Sequence, residues 1–309
     1  MLETKRSVDF QKFVDGLPAT VHEQKLPLSI KNAHPRDECI FFDEIPHKYY
    51  LYDVETQKPV EDLTSITTYI HKFFPEFDAD EGIKLMRGNK KKWNETHACY
   101  HLSDNEIKAL WKKTNDDASA LGTKMHRKIE LFYNGIRDPK DESDKDFQYF
   151  LKFHEEVVVK QGWIPARTEW RIWCKELGIT GTIDMIFEIP GRPGEIIIYD
   201  WKRSKEIKLS SPFGNGKKPI NALSDCNMNH YSLQLHFYKY LIEKNYNYKV
   251  VGMYLGVFHP NNEDYKTYSI GVKNEVFLEN LKLLILERTK ERAKLLLAAA
   301  AAATSLLHE

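Results

Sequence analysis

The chain has 309 residues, of which 42% are hydrophobic and 29% charged, with 45 basic and 45 acidic side chains. These proportions describe a soluble globular protein of one large or two smaller domains. A formal net charge of zero excludes a uniformly basic surface, so any contact with nucleic acid has to come from local clusters of Lys and Arg.

The start of the chain is charged and has no apolar core, so no signal peptide is expected. The longest apolar run, residues 295–303, is too short to span a bilayer. An intracellular protein without a transmembrane segment is the expectation. Cys39, Cys99, Cys174 and Cys226 are scattered, without the closely spaced pair usual in zinc or iron–sulfur sites. They read as separate reduced thiols.

In chain order, residues 1–38 form a polar arm or small subdomain. Residues 39–70 read as strands around a turn, with a β-branched run at 66–68. Residues 75–117 read as helical and polar, with a capping box at Ser103 and Glu106. An amphipathic helix is expected at 119–135, closing on Asn134-Gly135, and a second at 144–162. Three strands follow, in ARTEWRIWCKEL, ITGTIDMIFEI and EIIIYDWKRS, then a polar loop (205–226) and a helix in MNHYSLQLHFYKYLIEKN. Two further strands and a C-terminal helix from Asn274 complete the order. This is an α/β (α+β) core with a mixed central sheet. The expected division is an N-terminal extension of helices and strands (1–118), a core (119–297) and an Ala-rich tail (298–309). No function is assigned to that tail.

Charges are rarely buried unless they are paired or bind a metal. Strand side chains alternate between faces, so Ile196, Ile198, Asp200 and Lys202 share one. The Gly/Pro turn at 191–194 returns the chain beside the preceding strand, which carries Asp184. Asp184 and Asp200 can therefore converge at one end of the sheet. Close carboxylates repel, a cation relieves that repulsion, and Mg²⁺ or Mn²⁺ suits two carboxylates plus waters.

Four segments occur in chain order: GTKMH with His126, GTID with Asp184, IIIYDWK with Asp200 and Lys202, and QLHFY with Gln234 and Tyr238. On these elements the chain resembles the PD-(D/E)XK nuclease superfamily, and within it the RecB-like exonucleases of phages, CRISPR systems and mitochondria. LTSITTYI (63–70) resembles a Ser-Val-Thr segment that precedes the core in phage and mitochondrial members. The resemblance covers roughly residues 47–270. It implies a restriction-endonuclease-like fold. It also implies that His126, Asp184, Asp200 and the Trp201 backbone carbonyl hold one or two Mg²⁺ or Mn²⁺ ions. Lys202 would then assist the nucleophile or neutralise charge on the phosphate, and Gln234 would fix the geometry. Tyr238 supports that geometry or packs. Glu169, on the strand before Asp184, is either a further site acid or a surface acid. Glu130, one turn after His126, either orients that helix or lies exposed on its face. CRISPR-associated members often hold an iron–sulfur cluster through a late cysteine group, which is missing here, so no cluster is expected.

Lys84, Arg87, Lys90, Lys91, Lys92 and Trp93, then Trp111, Lys112 and Lys113, mix cations with rings, a pattern suited to a single strand. Arg203 and Lys205 leave the catalytic strand directly. The resulting expectation is a metal-dependent deoxyribonuclease acting from an end of single-stranded or processed DNA, in replication, repair or recombination. The alternatives are an endonuclease of the same fold or a non-catalytic nucleic-acid-binding subunit.

Overall fold

The computed structural model describes residues 7–21, 25–211, 214–271 and 275–306, with side chains to residue 301. The expected start of the last helix at Asn274 lies outside the described residues. The N-terminal extension contains α1 (Val8–Asp15), α2 (Pro27–Lys31) and a hairpin of β1 (Ile40–Asp43) and β2 (Lys48–Asp53), which β3 (Lys58–Pro59) extends. Phe10 of α1 meets Tyr52 of β2 edge-on, with ring centroids 5.1 Å apart.

A short strand, β4 (Thr64–Ser65), then leads into α3 (Ile66–His71). The strand expected at 66–68 is therefore a helix. The Ser65 side chain caps it by accepting the Thr68 N–H, and Ile66, Tyr69 and Ile70 bury one helical face. Burial at that spacing overrides the β preference of Ile and Thr.

The helical stretch expected at 75–117 is interrupted. Helix α4 (Ala79–Gly88) stops at Gly88-Asn89, and residues 89–102 form turns and bends. Helix α5 (Asp104–Tyr133) then runs unbroken for 30 residues, so the boundary expected at 118/119 falls inside one helix. The capping box forms as expected, with the Ser103 N–H donating to Glu106 Oε2 at 2.7 Å. Gly122 costs only about 1 kcal/mol relative to alanine and does not break the helix. Gly135, at φ +75°, follows its C-terminal end.

The rest follows the expected order. Helix α6 (Lys145–Phe153) continues into a π-helical turn, His154–Val159. Strands β5 (Ile164–Cys174), β6 (Ile179–Glu188) and β7 (Glu195–Lys202) precede α7 (Asn227–Asn245), β8 (Lys249–Val257), β9 (Lys266–Ser269) and α8 (Glu275–Leu306). Gly191 and Gly194, both at positive φ, close the β6–β7 turn.

The main sheet is mixed. β5 pairs antiparallel along one edge of β6. The other edge is shared: β4 pairs parallel at Ile179 and Thr180, and β7 pairs antiparallel from Met185 to Glu188. Between these partners, residues 181–184 of β6 form a notch in the sheet. Beyond β7, β8 adds a parallel strand and β9 an antiparallel one.

Each face of the sheet has its own core. Ile196, Ile198, Leu255 and Val257 pack with α3, α7 and α8 on one side. Ile197, Tyr199 and Trp201 pack with Met125, Ile129 and Phe132 of α5 and Phe150 and Phe153 of α6 on the other. The side chain of Arg288 in α8 donates to the carbonyls of Leu177, Gly178 and Asp62, clamping the β5–β6 turn against the segment before β4. The first half of α5 packs with α4 around a separate small core of Ile83, Cys99 and Ile107. Between that core and the sheet, residues 112–121 of α5 are exposed.

Candidate active site

Three acidic residues line up across three strands at the notch. The β5–β6 register sets Glu169 opposite Asp184, and one step beyond the last β6–β7 pair, Met185–Tyr199, lie Asp184 and Asp200. The β6–β7 ladder stops there because Asp184 Oδ2 accepts the Trp201 N–H at 2.6 Å, a side chain replacing a strand carbonyl. Glu169 has φ +44°, a left-handed backbone that costs a non-glycine residue about 1–3 kcal/mol and often marks a functional site.

His126 reaches the same point from α5. Its Nε2 lies 2.9 Å from the Trp201 carbonyl oxygen. Its Nδ1 is 3.6 Å from both Glu169 Oε1 and Asp184 Oδ2. Burial disfavours the charged ring, but Asp184 and Glu169 outweigh it and raise the His126 pKa to about 9. Burial likewise raises the Asp184 pKa, against the lowering effect of His126.

Asp200 is 1% exposed. Burial raises its pKa to about 6, against the pull of Lys202, while Asp184 adds to the rise. Lys202 Nζ lies 2.6 Å from Asp200 Oδ2. Burial opposes the lysine charge, yet Asp200 and Asp184 hold its pKa above the usual value. Gln234 of α7 donates from Nε2 to Asp200 Oδ1 at 3.2 Å and to the Tyr238 hydroxyl at 2.8 Å. Tyr238 is buried against Gly181: a Cβ on that glycine would stand 2.7 Å from the Tyr238 ring.

The structure therefore gathers Asp184, Asp200, Lys202, His126, the Trp201 carbonyl, Gln234, Tyr238 and Glu169 around one notch. Glu169, which the sequence left between a site role and a surface role, groups with His126 and Asp184: one ligand atom from each lies within 4.8 Å of the others. Asp200 is outside that group and instead pairs with Lys202. Its Oδ2 is buried beside the Lys202 ammonium. An imidazole, hard carboxylate oxygens and a backbone carbonyl fit a divalent cation such as Mg²⁺ or Mn²⁺. Glu130 is buried and pairs with Arg127, one turn back on α5.

Two neighbours were not singled out from the sequence. Lys202 Nζ sits 4.5 Å from the centre of the Tyr231 ring. The signal available in the sequence was the i, i+3, i+7 spacing of Tyr231, Gln234 and Tyr238 on one helix. Tyr49, from the N-terminal hairpin, shares a 2.8 Å hydrogen bond with Thr182. Burial, with Glu169 and Asp184 adding to it, pushes its pKa up to about 12.

Several residues of the basic segments are paired with nearby acids. Lys84 pairs with Glu81, Arg87 with Asp104, Lys112 with Asp116 and Lys113 with Asp117. Lys90, Lys91 and Lys92 are exposed, on the turns after α4 rather than on the helix expected for them. Trp93 and Trp111 pack partly into the small α4–α5 core, so their rings are not free stacking platforms. Arg203 pairs with Asp146, and Lys205 is exposed. No helix among the described residues is long and apolar enough to cross a membrane.

No curated protein matches the chain at a significant level. A chain from Eubacterium rectale, provisionally named an exonuclease, is similar over 74% of this chain and 82% of its own, at 12% identity and a TM-score of 0.38. The structure of SSO0001 is similar over 75% of this chain and 76% of its own, at 15% identity and a TM-score of 0.27. The sequence profile of the PD-(D/E)XK nuclease superfamily matches residues 46–305. By that match, which spans the sheet, the notch and every residue gathered at it, the chain belongs to the PD-(D/E)XK nuclease superfamily.

Proposed function

We propose that the chain is a divalent-metal-dependent DNA exonuclease of the RecB-like branch, acting on single-stranded or processed ends. The observation that carries the chemistry is the row of Glu169, Asp184 and Asp200, with His126 above it and Lys202 paired to its end. His126, Glu169, Asp184, Asp200 and the Trp201 carbonyl would hold the ion. Bound Mg²⁺ or Mn²⁺ would supply a water of lowered pKa and charge stabilisation at the phosphate. Lys202, charged and fixed by Asp200, offers donors to a phosphate oxygen as negative charge builds. Gln234 holds Asp200 from the far side and is itself held by Tyr238.

The substrate path rests on α5. Ile107, in the outer core, and His126, at the notch, are 19 positions apart, about 28 Å along a helix. The exposed stretch between them stands clear of both cores, and the Lys90–Lys92 turn lies at its outer end. A single strand running along this helix would reach the notch from a free end.

Labelled linear and covalently closed single-stranded DNA, each with and without Mg²⁺ or Mn²⁺, tests the reading. Metal-dependent loss of the linear strand with the circle spared is the expected result. Rapid cutting of the circle replaces the exonuclease reading with the endonuclease one, and no cutting of either overturns the catalytic reading.

A further inference from the structure

Beyond Lys202, the strand ends carry a second cationic group. β7 and β8 run parallel, with Lys202 beside Val257, and the Phe258 N–H donates to the Lys202 carbonyl at 2.9 Å. The two chains therefore leave the sheet together, one carrying Arg203 and Lys205 and the other His259. Ligands in open α/β sheets gather at the carboxyl ends of parallel strands.

Arg203 and His259 are held by their surroundings, and Lys205 is exposed beside them. Arg203 donates from Nε to Asp146 Oδ2 at 2.7 Å. Asp146 is itself fixed in the first turn of α6, where its other oxygen accepts the Phe147 N–H. That contact sets the guanidinium plane and leaves the terminal Nη groups without a hydrogen-bond partner among the described residues. His259 Nδ1 accepts the Asn261 N–H at 3.2 Å, so the neutral ring carries its proton on Nε2 as a donor. Burial first, then Arg203 and Lys205, disfavour a charge on His259, while Asp146 favours one. The turn that follows is fastened to α6 where the Tyr149 hydroxyl donates to the Asn262 carbonyl at 2.7 Å. Arg203 and Asp146 offset each other, leaving the Lys205 charge, forked Arg donors and one imidazole N–H. That set matches a singly charged phosphodiester.

We propose that Arg203, Lys205 and His259 form a phosphate subsite that holds the phosphodiester next to the one at Lys202. Arg203 lies two residue steps beyond Trp201, whose carbonyl meets His126, about 6.6 Å along an extended chain, which is close to the step between phosphates on an extended single strand. The subsite rests on the reading of the notch as a nuclease centre, and it fixes which part of the substrate lies over the strand ends.

Binding rather than cleavage tests it. A series of single-stranded hexathymidylates, each with one phosphate replaced by an uncharged methylphosphonate, is titrated by fluorescence anisotropy against the wild-type protein and the Lys205→Ala/His259→Ala variant. In the wild type, one methylphosphonate position should weaken binding about ten-fold. In the variant, that position should lose its sensitivity, while the adjacent position, at Lys202, keeps the response it shows in the wild type. A variant whose position profile matches that of the wild type overturns the subsite, and so does a wild-type profile with no sensitive position. Lys205 is exposed and His259 half-buried, and an unchanged thermal melt confirms that the variant is folded. Cleavage of the unmodified hexamer, measured separately, reports on the catalytic reading: a protein can fail that assay and still show the sensitive position, or pass it and show none.

Discussion

Asp184 Oδ2 accepts the backbone N–H of Trp201 at 2.6 Å, so one carboxylate both ends the β6–β7 ladder and faces His126. Asp184→Asn keeps an oxygen for that N–H but loses the charge. Cleavage should fall by about a thousand-fold or more while the melting temperature stays close to that of the wild type. Asp184→Leu should lose activity and also about 1–3 kcal/mol of stability, because the Trp201 N–H is left buried and unpaired. Steady-state rates beside thermal melts separate the two effects.

Lys202 sits between Asp200 Oδ2, at 2.6 Å, and the Tyr231 ring, at 4.5 Å. Lys202→Ala should abolish cleavage and leave most of the affinity for single-stranded DNA, since the wider cationic surface is untouched. A purified variant that cuts at the wild-type rate would show that the catalytic site has been misplaced.

Gly181 tests the Gln234 arm of the site from behind. Alanine there would place a methyl 2.7 Å from the buried Tyr238 ring, and the hydroxyl on that ring accepts from Gln234. Gly181→Ala should cost about 1–3 kcal/mol of stability through overpacking and lower kcat by shifting Gln234 from Asp200. Pairing it with Tyr238→Ala, which vacates the space, should recover the packing loss but not the rate. Denaturant titration and kinetics on both proteins check this.

Metal binding should be coupled to protons. The folded His126 pKa, about 9, is above its ordinary value near 6.5, so the metal-free protein gains stability from the charged ring below pH 6.5 and loses it as pH rises through 9. Asp200, raised to about 6, acts in the same direction: the folded state holds its proton more tightly, and stability falls as pH rises from about 4 to 6. Each contributes at most about 3 kcal/mol. An ion has to displace the His126 proton, so Mn²⁺ affinity should rise with pH up to about 9. Calorimetry in buffers of different ionisation enthalpy at pH 7.5 should show proton release. Mn²⁺ should raise the melting temperature more at pH 8 than at pH 5.

Neutralising Lys90, Lys91 and Lys92 together should weaken binding to long single strands. It should also lower the slope of log affinity against log salt by about 2, from three fewer displaced counterions at about 0.7 each. Rates on very short oligonucleotides should barely change. An unchanged slope would place the strand elsewhere.

Local pattern was enough to read the order of β5, β6, β7 and α7 and to bring Asp184, Asp200 and Lys202 to one end of the sheet, while the family resemblance singled out Gln234 and Tyr238. Strand alternation puts Asp200 and Lys202 on one face, a Gly/Pro turn brings Asp184 back beside them, and an i, i+4 step aligns Gln234 with Tyr238. These relationships span a few residues or one hairpin, so periodicity carries them.

Contacts between distant segments decided the rest. Glu169 is an ordinary strand acid until the β5–β6 register and its left-handed backbone set it beside His126. The meeting of His126 with the Trp201 carbonyl, which the family resemblance implied, spans 75 positions, and no local period encodes it. Tyr231 meets Lys202 across 29 positions, with the ammonium over its ring. Residues 66–68 have the composition of a strand and became helix because burial of Ile66, Tyr69 and Ile70 outweighs propensity. Helix α5 ran through the expected boundary because nothing between Ser103 and Asn134 is a strong enough break, and Trp93 and Trp111 turned inward because α4 and α5 needed a core of their own. For Glu169, His126, Tyr231 and residues 66–71 the deciding energy is burial or pairing between elements far apart in the chain, which is defined only once the sheet has assembled.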